Sequence, residues 1–254
     1  MGASSLSHKP EGGWAFDESV AEVFDDMLVN SIPLYQPTLD LIADFVIAEW
    51  KEKPVALSLL SLGVGSGVGL EYLLDRLSPH LRFAQIDGFE YSPDMIAVAA
   101  KRFSKREEPI ELIHHDLNEG LPDLLDRAHK GYEIVLYQYT SQFVAPESRS
   151  RVLSDIRLNE MFGMMFMSEK TRGESSAEEE ILQRRYHQWK RRNGYSREAV
   201  ATKAKSLRNV LMPMTSSEIE RMLILEGFQS VPVARYLQFE TRLCWRGSLP
   251  RPRL

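Results

Sequence analysis

The chain has 254 residues and a formal net charge of −5, which argues against a globally basic nucleic-acid binder and leaves room only for a local patch. Its length suits one α/β domain with additions, and a single cysteine, Cys244, excludes an intrachain disulfide and a multi-thiolate metal centre. No apolar run approaches the ~18 residues of a membrane-spanning helix, and the polar start Met1–His8 lacks a signal-peptide core, so a cytoplasmic protein with no membrane contact is expected.

Residues 1–13 read as a disordered N-terminus and 14–246 as one domain. Asp17 to Phe45 gives two helical stretches broken by Ser31-Ile32-Pro33, an N-terminal extension able to cover a site. Strand Val55–Leu60 follows, then a glycine-rich turn and a helix near Leu70–Leu77. Strand Phe83–Phe89 leads to a helix opened by Ser92-Pro93-Asp94, where serine caps and proline fits the first turn. Strand Ile110–His114, a helix near Leu121–His129, the apolar strand Glu133–Tyr139, a helix from Pro146 to Leu158 and strand Met164–Ser168 come next. Five strands with crossover helices predict an α/β, Rossmann-like fold: a mostly parallel twisted sheet with helices on both faces. The charged stretch Glu174–Asn193 and the stretch Tyr195–Leu211 read as a helical insertion, about 174–211, before the helix Ser216–Glu226 that Gly227 ends. Strands near Val231–Leu237 and Thr241–Trp245 complete the sheet, and 247–254 reads as a disordered tail.

The turn Ser61-Leu62-Gly63-Val64-Gly65-Ser66-Gly67-Val68-Gly69 is the most informative stretch, because alternate glycines let a ligand lie directly on the backbone. A dinucleotide fingerprint needs a third glycine three residues after the second, and both frames fail, at Val68 and at Leu70. A Walker loop needs Gly-Lys-Ser/Thr, and no lysine is near. Gly63-x-Gly65-x-Gly67 with the acid Glu90 after the second strand matches the spacing of enzymes that bind S-adenosylmethionine (SAM), with Glu90 on the ribose diol.

Further motifs occur in one order: Phe16-Asp17-Glu18-x-Val20-Ala21-x-Val23-Phe24-x-Asp26-Met27, Ile32-Pro33-x-Tyr35, Tyr91-Ser92-Pro93-x-Met95-Ile96, Thr140-x-Gln142-Phe143, Ser168-Glu169-Lys170 and Asn193-Gly194-Tyr195-Ser196. Together, from about Trp14 to Phe239, they resemble the carboxy-S-adenosyl-L-methionine synthases, methyltransferase-fold enzymes of wobble-uridine modification. The resemblance implies a homodimer that joins a carboxyl group from prephenate to the methyl carbon of SAM through a sulfonium ylide, for use by a separate tRNA-modifying enzyme. By position it implies Tyr35 near the ligand, Gly63-Val64-Gly65 on its amino-acid and ribose parts, Glu90-Tyr91 on ribose and adenine, Asp116-Leu117 at the adenine edge and Gln138 beside the sulfonium. Ser61 stands where the family has Asp, Glu90-Tyr91 where it has Asp-Asn, and Gln138 where it has Asn; each keeps a polar group. The arginine that anchors the transferred carboxylate falls on Ala204, and losing that fork removes ~1.5–3 kcal/mol of binding. Lys203 and Lys205 flank it, each about 100° round a helix.

The expected function is therefore chemistry at the SAM sulfonium by a small-molecule enzyme, with Ala204 arguing against authentic carboxy-SAM synthesis. Its substrate is a small molecule or SAM alone. Intramolecular cyclisation of SAM to azetidine-2-carboxylate, with release of methylthioadenosine, is an alternative, as are carboxy-SAM synthesis, tRNA modification and a non-catalytic SAM-binding role. Tyr35, Gln138 and Tyr139 are the candidate catalytic residues, the tyrosine faces stabilising a sulfonium by cation–π attraction. Strand alternation places Tyr137 and Tyr139 on one side and Gln138 on the other. The run Arg184–Arg192 reads as a solvated or dimer-facing helix more than a nucleic-acid patch, so direct tRNA binding is disfavoured. His114 and His115 point apart, which disfavours a shared metal, and Glu169-Lys170 reads as a catalytic pair or a structural ion pair.

Overall fold

The structure, a computed structural model, describes residues 15–122 and 131–247. The expected disordered start, the tail beyond Gly247 and most of the predicted helix Leu121–His129 lie outside the described residues. Three N-terminal helices, α1 (Glu18–Ala21), α2 (Phe24–Ser31) and α3 (Tyr35–Trp50), replace the two expected stretches. Asp17 caps α1 by accepting from the Val20 N–H at 3.1 Å, and Leu34 takes a left-handed φ of 59° to redirect the chain into α3.

The remaining elements are β1 (Ala56–Leu62), α4 (Val68–Leu77), β2 (Arg82–Glu90), α5 (Pro93–Phe103), β3 (Ile110–His114), β4 (Ile134–Gln138), α6 (Pro146–Leu158), β5 (Met164–Lys170), α7 (Ser176–Arg192), α8 (Arg197–Ser206), α9 (Ser216–Leu225), β6 (Gln229–Tyr236) and β7 (Phe239–Trp245). Among the described residues they form one seven-stranded sheet in the order β3-β2-β1-β4-β5-β7-β6. Strands β1 to β5 pair in parallel, and β7 enters antiparallel between β5 and β6. The strand order reverses between β1 and β4, and in such sheets ligands bind in the crevice outside the carboxyl ends at that reversal.

Strand β4 is buried on both faces, as a central parallel strand must be. Ile134 and Leu136 pack with Leu39, Ile42 and Val46 of α3, while Val135 and Tyr137 pack with Val152 and Ile156 of α6 and Leu223 of α9. Each fully buried aliphatic side chain contributes about 1.5–3 kcal/mol relative to exposure. Helix α5 starts as its sequence dictates, with the Ser92 hydroxyl accepting from the Met95 N–H at 3.2 Å and Pro93 in the first turn. A smaller apolar cluster of Val20, Met27 and Met95, with Leu207 and Val210 against it, joins the N-terminal helices to α5 and to the segment after α8. This arrangement roofs the strand ends with α2, α7 and α8.

Candidate active site

A cavity of about 1020 Å³ opens over the carboxyl ends of β1, β2 and β4. Its floor at one end is the glycine turn, where Gly63, Gly65 and Gly67 all have left-handed φ values of 70°, 57° and 82°. A Cβ on Gly63 would sit 2.1 Å from the Thr140 hydroxyl, and one on Gly65 would sit 2.9 Å from the Phe24 ring. The N–H groups of Gly63 and Val64 bond the Phe89 carbonyl at 2.8 and 3.0 Å, locking the turn to the end of β2.

Glu90 follows on β2 and folds its carboxylate back onto this turn. One oxygen accepts from the Gly65 N–H at 2.8 Å, the other from the Tyr91 and Ser92 N–H groups at 2.9 Å each. A carboxylate accepts about four hydrogen bonds, so capacity remains on the cavity side for a diol hydroxyl. Burial raises its pKa even though three N–H donors favour the charged form. Tyr91 is 64% exposed and lines the rim, with its ring 6.5 Å from that of His114. Asp116 caps a 3-10 turn by accepting from the Asn118 N–H at 2.9 Å, and Leu117 behind it is buried; both line the cavity. His114 and His115 turn to different carbonyls, those of Tyr91 and Gly120.

Gln138 ends β4 in the cavity wall, and its amide nitrogen is buried with no partner within the protein. A buried donor left unpaired costs about 1–3 kcal/mol, so this atom is fit to meet a ligand acceptor. Tyr139 corrects the expected alternation. Its backbone is left-handed, with φ 53°, so the side chain swings away from Tyr137. Tyr137 is fully buried under α6, outside the cavity, whereas the Tyr139 ring stands 6.0 Å from Tyr35 and 6.3 Å from Phe239 on the other side of the sheet. Alternation holds only while the backbone stays extended. The Tyr139 hydroxyl reaches Thr241, Ser168 and Thr38, and burial raises its pKa out of the titrating range. Tyr35, the first residue of α3, is buried beside it; its hydroxyl packs on Gly69, where a Cβ would come within 2.6 Å, and burial raises its pKa too.

Glu169 and Lys170 do not pair. Glu169 is buried and accepts from the Ser141 N–H at 3.1 Å, and burial pushes its pKa up to about 8 against the opposing pull of Arg149. Lys170 points to the opposite face, with Nζ 5.0 Å from the centre of the Tyr186 ring. The Arg184–Arg192 helix is likewise more than a solvated face. Gln183, Tyr186, His187 and Lys190 line the cavity, and Lys190 is only 4% exposed. Their spacing of i, i+3, i+4, i+7 was legible as one helical face, but the surrounding charges masked it. Ala204 also lines the cavity, and so do Lys203 and Lys205 on either side, whose long stems overcome the rotation about the helix.

Residues 59–158 match the family described as Methyltransferase domain. The carboxy-S-adenosyl-L-methionine synthase of Wolinella succinogenes is 32% identical over 234 residues, covering 91% of this chain and 93% of that protein. That of Helicobacter hepaticus is 34% identical, covering 89% of this chain and 92% of its own length. The chain belongs to the carboxy-SAM synthase-like family. An O-methyltransferase family protein from Burkholderia thailandensis is similar in structure at 13% identity, with a TM-score of 0.60 over 91% of this chain and 61% of that one. That likeness speaks to fold alone, and it is the class I methyltransferase fold with its reversed final hairpin. In this synthase-like chain the candidate residues Tyr35, Gly63, Val64, Gly65, Glu90, Tyr91, Asp116, Leu117, Gln138 and Tyr139 all border one cavity. Phe24 and Thr140, which close on the glycine turn, and Tyr186 and Lys190 were not singled out by sequence as site residues.

Proposed function

We propose that this carboxy-SAM synthase-like protein uses SAM as a substrate and places a carboxyl group on its sulfonium methyl carbon. The observation that carries this reading is the continuity of the cavity from the Glu90–Gly65 cradle to a second end walled by Tyr186, Lys190 and Lys203, which gives a second molecule room beside SAM. Glu90 would hold the ribose hydroxyls, the bare turn at Gly63 would meet the amino-acid portion, and Asp116-Leu117 would border the adenine. The orphaned Gln138 amide would donate near the sulfonium. The Tyr35 and Tyr139 rings would face that cation, each contributing about 0.5–2 kcal/mol while excluding water. SAM, when bound, supplies an electrophilic sulfonium and an acidified methyl group.

Ala204 argued against carboxylation on sequence grounds, because alanine pairs with nothing. Lys190 and Lys203 line the same space and supply nitrogen donors where alanine supplies none, which supports the carboxylation reading. Incubating pure protein with SAM, with and without prephenate, and resolving products by mass spectrometry tests the proposal. Carboxy-SAM formed only with prephenate supports it; methylthioadenosine released from SAM alone would replace it with cyclisation, and adenosylhomocysteine with ordinary methyl transfer.

A further inference from the structure

Glu169 is a buried acid behind the cavity wall. The N–H groups of Thr140, Ser141 and Gln142, three in succession, converge on its carboxylate, the Ser141 bond measuring 3.1 Å. They belong to the loop that follows β4, which carries the wall of the site. Tyr139 opens the loop with its left-handed backbone, and the Thr140 hydroxyl stands 3.1 and 2.8 Å from the Leu62 and Gln138 carbonyls. Gln142 donates to the Tyr139 carbonyl at 3.2 Å and accepts from the Lys170 N–H at 2.7 Å. One carboxylate thus ties β5 to the segment that presents Gln138 and Tyr139 to a ligand.

A buried cation already stands beside it. Arg149 of α6 is 2% exposed and spends its guanidinium on the Val144 and Met212 carbonyls at 2.9 and 2.7 Å. Glu169, Glu147 and Glu218 act on Arg149 through space, and none of them forms an ion pair with it. Across the sheet from Glu169, Glu240 of β7 is taken by Arg242 at 2.5 Å and by the Ser216 hydroxyl at 2.8 and 3.0 Å. The acids that line the cavity are engaged elsewhere: Glu90 by the glycine turn, Asp116 by its 3-10 turn, and Glu179 by the Gly173 N–H at 2.6 Å and the Gln238 amide at 2.9 Å. A sulfonium against Tyr35 and Tyr139 brings a second cation to the same region. Two buried cations are unfavourable without an anion near them. Glu169, whose charge reaches both Tyr137 and Tyr139, is placed to supply it.

We infer that Glu169 is a specificity-determining residue: held by the loop behind Tyr139, its carboxylate is the counter-charge for the sulfonium and makes the cavity prefer SAM to the neutral thioether adenosylhomocysteine. The inference deepens the proposed function and rests on it only in taking SAM as the ligand of the Glu90 cradle. Glu169 touches neither ligand and acts as a positioning residue, through the loop and through space. Burial pushes its pKa up to about 8. Below that pH an arriving sulfonium must displace a proton from Glu169, and above it the charge is already present, so the preference for SAM should rise as pH rises through about 8. Arg149, Tyr137, Tyr139, Glu240 and Arg242 also surround Glu169, and Lys170, Lys190, Lys203, His187 and Glu90 line the cavity. All of these remain in Glu169→Gln, which is therefore the reference for the parent.

Calorimetry of the full-length protein with SAM and with adenosylhomocysteine, on either side of pH 8, gives the ratio of the two affinities. Glu169→Gln should lower that ratio by at least ~5-fold on the alkaline side and by less on the acid side, with far-UV circular dichroism like the parent's. Glu169→Asp, which keeps the charge, should restore most of the preference. Should Glu169→Gln not fold, the parent alone decides: titrated near neutral pH in buffers of different ionisation enthalpy, it should release more protons on binding SAM than on binding adenosylhomocysteine. A ratio unchanged in folded Glu169→Gln, equal weakening of both ligands, a loss that is the same on both sides of pH 8, or equal proton release overturns the counter-charge. A pH-dependent preference that needs Glu169, in a protein that makes no carboxy-SAM from SAM and prephenate, keeps the inference and removes the carboxylation reading. Failure to bind either ligand overturns both.

Discussion

At Glu90 a single carboxylate does two jobs, tying the glycine turn through the Gly65 N–H and presenting its remaining lone pairs to the cavity. Glu90→Ala should weaken SAM binding by at least ~1.5 kcal/mol, the scale of a lost charged hydrogen bond, measurable by calorimetry. Tyr139 separates ring from hydroxyl. Its hydroxyl is spent on Thr241, Ser168 and Thr38, so Tyr139→Phe should cost about 1 kcal/mol of stability and leave SAM turnover largely intact. Tyr139→Leu should abolish turnover in a folded protein; retention of turnover would make the ring a core element only. Lys190 gives a pH signature. Burial first, and Lys170 second, lower its pKa to about 8. Lys170, Lys203, His187 and Glu179 also border this space. A lysine binds an anion only when protonated, so affinity for a small anion such as malonate, read by calorimetry, should fall as pH rises through about 8 in the parent. In Lys190→Arg the fall should be smaller but not absent, because burial lowers the Lys170 and Lys203 pKa values as well.

Helix α2 is held over the glycine turn by one arginine. Arg102 of α5 reaches Asp25 and Glu71, each at 2.5 Å, and donates to the Ser66 carbonyl at 2.9 Å, while the Ser66 hydroxyl donates to Asp25 at 2.5 Å. The Arg102 side chain is only 20% exposed, so these contacts are worth more than a surface pair. The same helix carries Phe24 onto Gly65 and Ser31 onto Tyr186, so it touches both ends of the cavity. Arg102→Met should loosen α2 before it affects the sheet. Hydrogen exchange of Phe24–Ser31 should accelerate by at least ~10-fold while β1 and β4 stay protected, and SAM should bind more weakly. Equal acceleration everywhere would mean that Arg102 supports the whole fold and not the roof.

For the whole molecule, two carboxylates with opposite shifts shape stability against pH. Glu108 is drawn down to about 2, chiefly by its hydrogen bond from Arg106, so its contribution is present above 4.5 and is lost as pH falls towards 2. Glu169 is pushed up to about 8 by burial, so the folded state holds a proton that the unfolded chain releases near 4.5. Its contribution is full below 4.5 and declines until about pH 8. Thermal unfolding midpoints should therefore decline from pH 5 to 8 in the parent, and Glu169→Gln should flatten that limb without changing the acid limb. An unchanged slope in Glu169→Gln would place the titration elsewhere.

The sequence by itself determined the order of the strands β1 to β5 and of the helices α4, α5 and α6 among them, the glycine turn and the acid behind it, because these depend on local periodicity, caps and residues tolerant of positive φ. It could not give the side to which Tyr139 turns, since a single left-handed residue after an extended strand leaves no mark in a tyrosine. Nor could it show that Glu169 and Lys170, adjacent in sequence, work on opposite faces of the sheet. The lysine-lined end was decided only by tertiary structure. Lys170, Lys190 and Lys203 come from three elements, and the face of α7 that looked solvated becomes a cavity wall once Tyr186 and Tyr195 anchor it to Ser31. Local physics fixes where a nucleoside can lie; long-range packing fixes what charge can lie beside it.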